Sequence, residues 1–241
     1  MEKLPFLHFK GHSSLEYCLL ITEKGSYKGA ARDVTYTSVA GRSGDLVIDN
    51  GRYKNVPLPY KLALLNNSPY DFNKLVRLIK NWLYNGGHGY FKLWDSYDSG
   101  YYRLASLADE INIEQELKAL GSLSLNFNCK PYKYSFEGEH AIELSQAGSI
   151  YNAEAYESKP YIKIFGSGNA TLYINNNAYN FTDIADYIEV DSELMNAYKD
   201  TTPANNQMKG AGFPIFQPGY NNISWNGGIT RLEIVPRWCT L

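Results

Sequence analysis

The 241-residue chain is short of cysteine, of net charge and of long apolar runs, and each shortage closes a class of function. Its three cysteines, Cys18, Cys129 and Cys239, are far apart and odd in number. They supply neither a CxxC metal pair nor a disulfide framework. Each lies among apolar, strand-like neighbours, where a buried free thiol is expected. Lys and Arg total 23 against 25 Asp and Glu, a formal charge of −2, which is not the basic field of a dedicated nucleic-acid binder. No run of about eighteen apolar residues occurs, so no membrane-inserted helix is expected. Met1-Glu2-Lys3-Leu4-Pro5-Phe6 lacks the basic-then-apolar order of a signal peptide, and the apolar stretch Tyr17 to Ile21 is too short for one. A soluble product of the cytosol is therefore expected. The sequons at Asn169, Asn180 and Asn222 would matter only in a secreted eukaryotic protein.

Catalytic signatures are missing too. There is no GxSxG elbow, Walker loop, HExxH or dinucleotide fingerprint. Gly41-Arg42-Ser43-Gly44 is not followed by a helix that could cradle phosphate. His8 and His12 have ligand spacing only on a helix, and the flanking residues read as strand; His88 and His140 are isolated. Asp95, Tyr97 and Asp98 sit in a turn cluster that lacks the acidic twelfth position of a calcium loop. Glu189 and Asp191 share a strand face about 7 Å apart, a separation that would suit glycoside hydrolysis. A solvated strand face accounts for them better, because no second element offers a partner. The reading is a non-enzyme without metal or cofactor.

What is present points to β structure. The chain is 44% hydrophobic and 20% charged, with 21 Tyr and four Trp, a composition that favours strands with much contact surface. Leu123, Leu125, Phe127 and Cys129 alternate with Ser122, Ser124, Asn126 and Asn128, the cleanest period-two pattern in the chain. Pro131 is expected to end this strand. It is taken as the closing strand of a first domain, 1–131, and the hinge into a second, 132–241. In the first, Ser68 and Pro69 open a helix over about 69–84, with Phe72, Leu75, Val76, Ile79, Trp82 and Leu83 as its apolar stripe and Asn85-Gly86-Gly87 as its stop. Asn50-Gly51 between two strand-like runs reads as the type I′ turn of a hairpin over about 39–60. On composition that hairpin is an ordinary sheet edge or an arm reaching another subunit. Glu110 to Glu114 alternates as a strand, and 115–120 reads as a connection.

The second half carries a further hairpin across Asn175-Asn176-Asn177 and an alternating strand Tyr187 to Asp191. A polar loop fills 196–212, and two strands pair across Asn226-Gly227-Gly228. Short strands with turn signals between them make a β-sandwich.

In their order and spacing several of these segments resemble the distal tail protein (Dit) family of siphophages that infect Gram-positive bacteria. They are Gly41 to Leu46, Asp49 to Asn55, Leu93-Trp94-Asp95, Asn126 to Tyr132, Ile188 to Glu193, Phe213-Pro214, Gly219-Tyr220-Asn221 and Pro236-Arg237-Trp238. The resemblance covers nearly the whole chain. It implies an N-terminal β-sandwich with one helix and a projecting β-hairpin arm, followed by a galectin- or carbohydrate-binding-module-like sandwich. It implies a hexameric ring at the virion tail tip, made in the host cytoplasm. That ring would be a structural hub joining the tail tube protein to the tail-associated or tail fibre protein and to receptor-binding or baseplate proteins. DNA would only pass through its lumen. Leu46, Val47, Ile48, Asn50, Gly51, Arg52 and Tyr53 are the arm residues expected at the subunit interface. The alternative is a carbohydrate-binding protein that docks host cell-wall glycans through its C-terminal domain, with Trp225 and Trp238 as stacking candidates.

Overall fold

The computed structural model describes residues 4–25, 29–65, 68–107 and 112–241. The fold is mainly β, and the chain divides into two compact units, Met1–Lys133 with Leu241, and Tyr134–Thr240.

In the first unit the strands lie in the order His12–Ser13, Leu7–Phe9, Phe91–Asp95, Tyr101–Ser106, Ser122–Ser135, Val56–Leu64 and Leu19–Lys24. Ser122–Ser135 is thus interior to the sheet. Leu123, Leu125, Phe127 and Cys129 are buried, and Ser124, Asn126 and Asn128 are exposed. Their partners are Leu62, Tyr60, Leu58 and Val56, also buried. Pro131 does not end the strand, contrary to expectation. Pairing with Val56–Leu64 already stops at Cys129, so the missing Pro131 N–H costs that ladder nothing, and the strand continues to Ser135.

Helix α1, Phe72–Tyr84, buries Leu75, Val76, Ile79, Trp82 and Leu83 in this core. Its N-cap is Asp71, not Ser68: the Asp71 carboxylate accepts from the Lys74 N–H at 3.0 Å. Ser68 instead accepts from the Tyr70 N–H at 3.2 Å, in a turn before the helix. Trp82 anchors the far end, its indole N–H donating to the Phe9 carbonyl at 2.8 Å and its ring stacked on Tyr17. A second helix, α2, Ile113–Leu120, replaces the expected strand and connection. Ile113 and Leu117, four residues apart, are both buried in the same core, the helical spacing that a five-residue alternation concealed; Glu110 and Ile111 lie outside the described residues.

The turn cluster after Phe91–Asp95 is held by a buried ion pair. Asp95 receives Lys24 Nζ and the Tyr60 hydroxyl, each at 2.5 Å, and the Tyr97 N–H at 2.9 Å. Its oxygens are taken up by these protein donors. Among the described residues no group of three His, Cys, Asp or Glu side chains is placed to hold a metal. The three cysteines are free and buried, and burial pushes the Cys129 and Cys239 thiols up to about 12.

In the second unit three long strands carry the core: Tyr161–Ile174, Asn177–Asp191 and Gly219–Val235. The first two are joined by a two-residue turn, Asn175-Asn176, with Asn175 left-handed at φ 54°. Gly219–Val235 is one continuous strand, not the hairpin expected across Asn226-Gly227-Gly228. Those residues lie where it passes Tyr161–Ile174 through a register shift. A Cβ on Gly228 would stand 1.7 Å from the Ser167 carbonyl oxygen, so glycine is there for close backbone approach. The expected polar loop over 196–212 holds three short strands, Asn196–Lys199, Thr202–Pro203 and Met208–Gly210. Gly148–Asn152 and Ile142–Leu144 add to the other side of Gly219–Val235.

Arg237 grips Asp191 with two hydrogen bonds, at 2.7 and 2.8 Å. Burial pushes the Asp191 carboxyl up, but the guanidinium and the Leu194 and Glu193 N–H groups outweigh it and hold it below the usual carboxylate range.

Two outcomes are expected from these buried pairs. Asp95→Ala leaves the Lys24 ammonium buried without its carboxylate and should destabilise the first unit by about 3–5 kcal/mol, read as a lower urea midpoint. For Asp191 the folded pKa lies below the unfolded value of about 3.9, so its contribution is complete above about pH 4 and disappears as pH falls through the folded value. Asp191→Asn should therefore cost about 3 kcal/mol at pH 7, and the urea midpoints of the two proteins should converge as the pH is lowered below 4.

Candidate functional site

Between Leu19–Lys24 and Val56–Leu64 the chain leaves the sheet and forms a two-stranded ribbon of its own. Arg32–Thr37 pairs antiparallel with Leu46–Tyr53, outside both large sheets. Thr37 faces Leu46, Tyr36 faces Val47, Thr35 faces Ile48 and Val34 faces Asp49. The loop between the strands, 38–45, carries Gly41 and Gly44 at positive φ. The hairpin therefore spans Arg32–Tyr53, with its tip near Gly41, and not 39–60 with its tip at Asn50-Gly51. Asn50, Gly51 and Arg52 instead stand opposite the single residue Asp33 as a bulge, between the pairs Val34–Asp49 and Arg32–Tyr53. Gly51 has φ 72°, which a bulge can require as readily as a type I′ turn.

The base of the ribbon is polar and cross-braced. Arg32 donates from Nε to both Asp49 oxygens, at 3.1 and 2.9 Å, and its guanidinium lies over the Tyr53 ring. Arg52 donates to Asp33 at 2.7 Å, with Lys54 at 3.5 Å from the same carboxylate. The hydrogen bond from Arg52 holds the Asp33 carboxyl below its ordinary range, and those from Arg32 and from the Gly51 N–H do the same for Asp49. Tyr53 also meets the Tyr132 ring edge-on.

The outer part is apolar and bare. Tyr36 is 64% exposed, Val47 55% and Ile48 47%, with Leu46 and Val39 also exposed. Alternation places Leu46 and Ile48 on one face of the ribbon and Val47 with Tyr36 on the other. Among the described residues nothing covers either face fully. An isolated two-stranded hairpin is marginal in water, and here the aliphatic residues stay about half exposed.

Of the seven expected arm residues, Leu46, Val47 and Ile48 lie on the exposed apolar stretch, whereas Asn50, Gly51, Arg52 and Tyr53 form the bulge and the braced base. The opposite strand, with Val34 and Tyr36, was not anticipated. Its signal was the β-branched and aromatic run Val34-Thr35-Tyr36-Thr37, four residues that alternate apolar and polar.

The other sequence candidates are engaged elsewhere. Glu189 accepts hydrogen bonds from the Tyr161 hydroxyl and the Asp200 N–H, and Asp191 is bound by Arg237. Trp238 is buried in the second core, and Trp225 turns inward, paired with the buried Leu172. His8 stacks on Trp94, and His12 pairs with Glu16.

No family model and no curated protein matches the chain. Among solved structures, the crystal structure of the SPP1 Dit (gp 19.1) protein, described as a paradigm of the hub adsorption apparatus in phages infecting Gram-positive bacteria, superposes with a TM-score of 0.73. The match covers 99% of this chain and 100% of that one, at 11% identity. From end to end, this chain has the fold of that phage hub protein.

Proposed function

We propose that the protein is a distal tail protein: a structural hub of a phage tail tip, without catalytic activity, that assembles as a hexameric ring in the virion. The observation that carries this reading is the Arg32–Tyr53 ribbon, a braced base with an aliphatic tip left uncovered, on a chain whose whole length shares the fold of a phage hub protein. A ribbon that docks on a different surface of the next copy is a heterologous contact, and such contacts repeated by rotation close into a ring. The ring joins the tail tube protein to the tail-associated protein and to the receptor-binding or baseplate proteins, and DNA crosses only its lumen. The second unit, galectin-like in this reading, faces those adhesion partners.

Native mass spectrometry tests the assembly. Six copies of the 27.3-kDa chain should appear as one species near 164 kDa. Val47→Asp with Ile48→Asp should reduce it to monomer and leave the thermal melt of the chain nearly unchanged, because both side chains are exposed in the isolated fold. A wild-type protein that stays monomeric even when mixed with its tail tube protein, or a double variant that still forms the ring, would overturn the proposal.

A further inference from the structure

Two features, one in each unit, play no part in the ribbon. In the first unit the C-terminal end of α1 and the Lys10-Gly11 turn enclose an open pocket of about 580 Å³. Its apolar lining is the stacked Tyr17 and Trp82 rings with Phe91 and Leu78. Its charged lining is Lys10 and Lys92, with Lys10 tied to the Leu83 and Asn85 carbonyls at 3.0 and 2.9 Å. His12 also borders it, and the Glu16 carboxylate beyond is taken up by His12 and the Ser13 N–H. Lys74, Leu78 and Asn81 lead to the pocket along one stripe of α1, a helix that has no carboxylate. In the second unit the turn after Asp191 carries Leu194 and Met195 side by side, 67% and 68% exposed. It is held from within: the Asp191 carboxylate accepts from the Glu193 and Leu194 N–H groups at 3.0 and 3.1 Å, and Arg237 grips it. Met195 is left-handed at φ 50°, an uncommon conformation for a long side chain. Burial, then Glu193, Glu154 and Glu157, push up the nearby Cys239 thiol against Lys159, so carboxylates surround this end of the unit.

We infer that the pocket receives the Leu194–Met195 turn of a second copy of this chain. The contact makes no use of the ribbon. A hollow with an aromatic lining and two lysines meets a projection with two bare apolar side chains and a carboxylate beside them. A turn already fixed by Asp191 loses little entropy on docking. The charges agree at larger scale as well. Residues 1–133 hold 17 Lys and Arg against 13 Asp and Glu, and residues 134–240 hold 6 against 12. Opposite fields bring pocket and turn together and disfavour pocket against pocket or turn against turn. The ribbon tip is a poorer occupant, because Arg42 and Asp45 in its loop cancel and offer the lysines no net charge. Pocket and turn are different surfaces, so the contact is heterologous, and every copy can give one and receive one.

Cysteine cross-linking of the full chain tests this, since the three native thiols are buried. Chains with Met195→Cys and chains with Asn81→Cys are co-produced and joined with a short bis-maleimide. Both positions are exposed, and Asn81 lines the pocket, so the thermal melts should match the wild type. The covalent dimer should exceed that from either chain produced alone by about tenfold or more, because contact raises the local thiol concentration. It should exceed by as much the dimer formed with Asn128→Cys, an exposed position outside the pocket. Glu193→Lys in the first chain should lower the yield about threefold, the scale of one exposed charge pair, and Lys92→Glu in the second should restore it. A yield no higher than with Asn128→Cys, a yield indifferent to Glu193→Lys, or Val47→Cys linking to Asn81→Cys in place of Met195→Cys would overturn the inference.

Discussion

The register between Ser122–Ser135 and Val56–Leu64 is the constraint on which the first unit depends. A slip of one residue would turn Leu123, Leu125, Phe127 and Cys129 out of the core and bring serine and asparagine in. Burial of about 2 kcal/mol for each large apolar side chain makes that slip prohibitive. The same register decides where the ribbon begins. Val56 is paired with Cys129, so Lys54 and Asn55 are the last residues before the sheet, and the brace of Arg32, Asp33, Asp49 and Arg52 lies directly outside it. The core thus fixes the root of the ribbon, and the ion pairs fix its direction. Each exposed pair alone contributes little, but together they order a segment that has no core of its own.

The second unit solves a different problem. Its strands reach 17 residues, about three times the usual length, and such strands must bend and cross to enclose a core. The crossing is made where backbone meets backbone, at Ser167 and Gly228, and side chains are excluded there. Alternation survives on both sides of the crossing. Ile162, Ile164, Leu172 and Ile174 face inward, as do Ile223, Leu232 and Ile234. The outward set between them is what leaves Tyr173, Tyr220 and their polar neighbours on one surface.

These two solutions also explain what could be read in the residues. A half-buried strand and an amphipathic helix write their environment into the chain as period two and period 3.6, so Leu123 to Cys129 and the Leu75 to Leu83 stripe were legible. Turn chemistry was legible only when backbone conformation and function coincide, as at Asn175-Asn176. Asn50-Gly51 and Gly227-Gly228 carry the same local signature and do something else. Positive φ serves a bulge as well as a turn, and absence of Cβ serves a crossing as well as a loop. What distinguishes them is a contact with a distant strand, which local reading does not contain. Arg32–Thr37 was missed because its alternation, Val34-Thr35-Tyr36-Thr37, lasts only four residues, and its partner strand lies beyond the loop 38–45. The same limit applies to the tyrosines and tryptophans, since core and platform use the same rings.

The two exposed surfaces then differ in what would stabilise a complex. On the ribbon tip, Leu46, Val47 and Ile48 offer area whose removal from water is favourable whatever covers it, so specificity there rests on shape and on the charged base. On the tyrosine face the exposed groups are polar as well as aromatic, and a partner gains only by matching their hydrogen bonds to solvent while covering the rings. Any cover that excludes water would stabilise the first surface, whereas the second needs a partner that matches its hydrogen bonds. The ribbon tip and the tyrosine face belong to different compact units, so each is shaped by its own core.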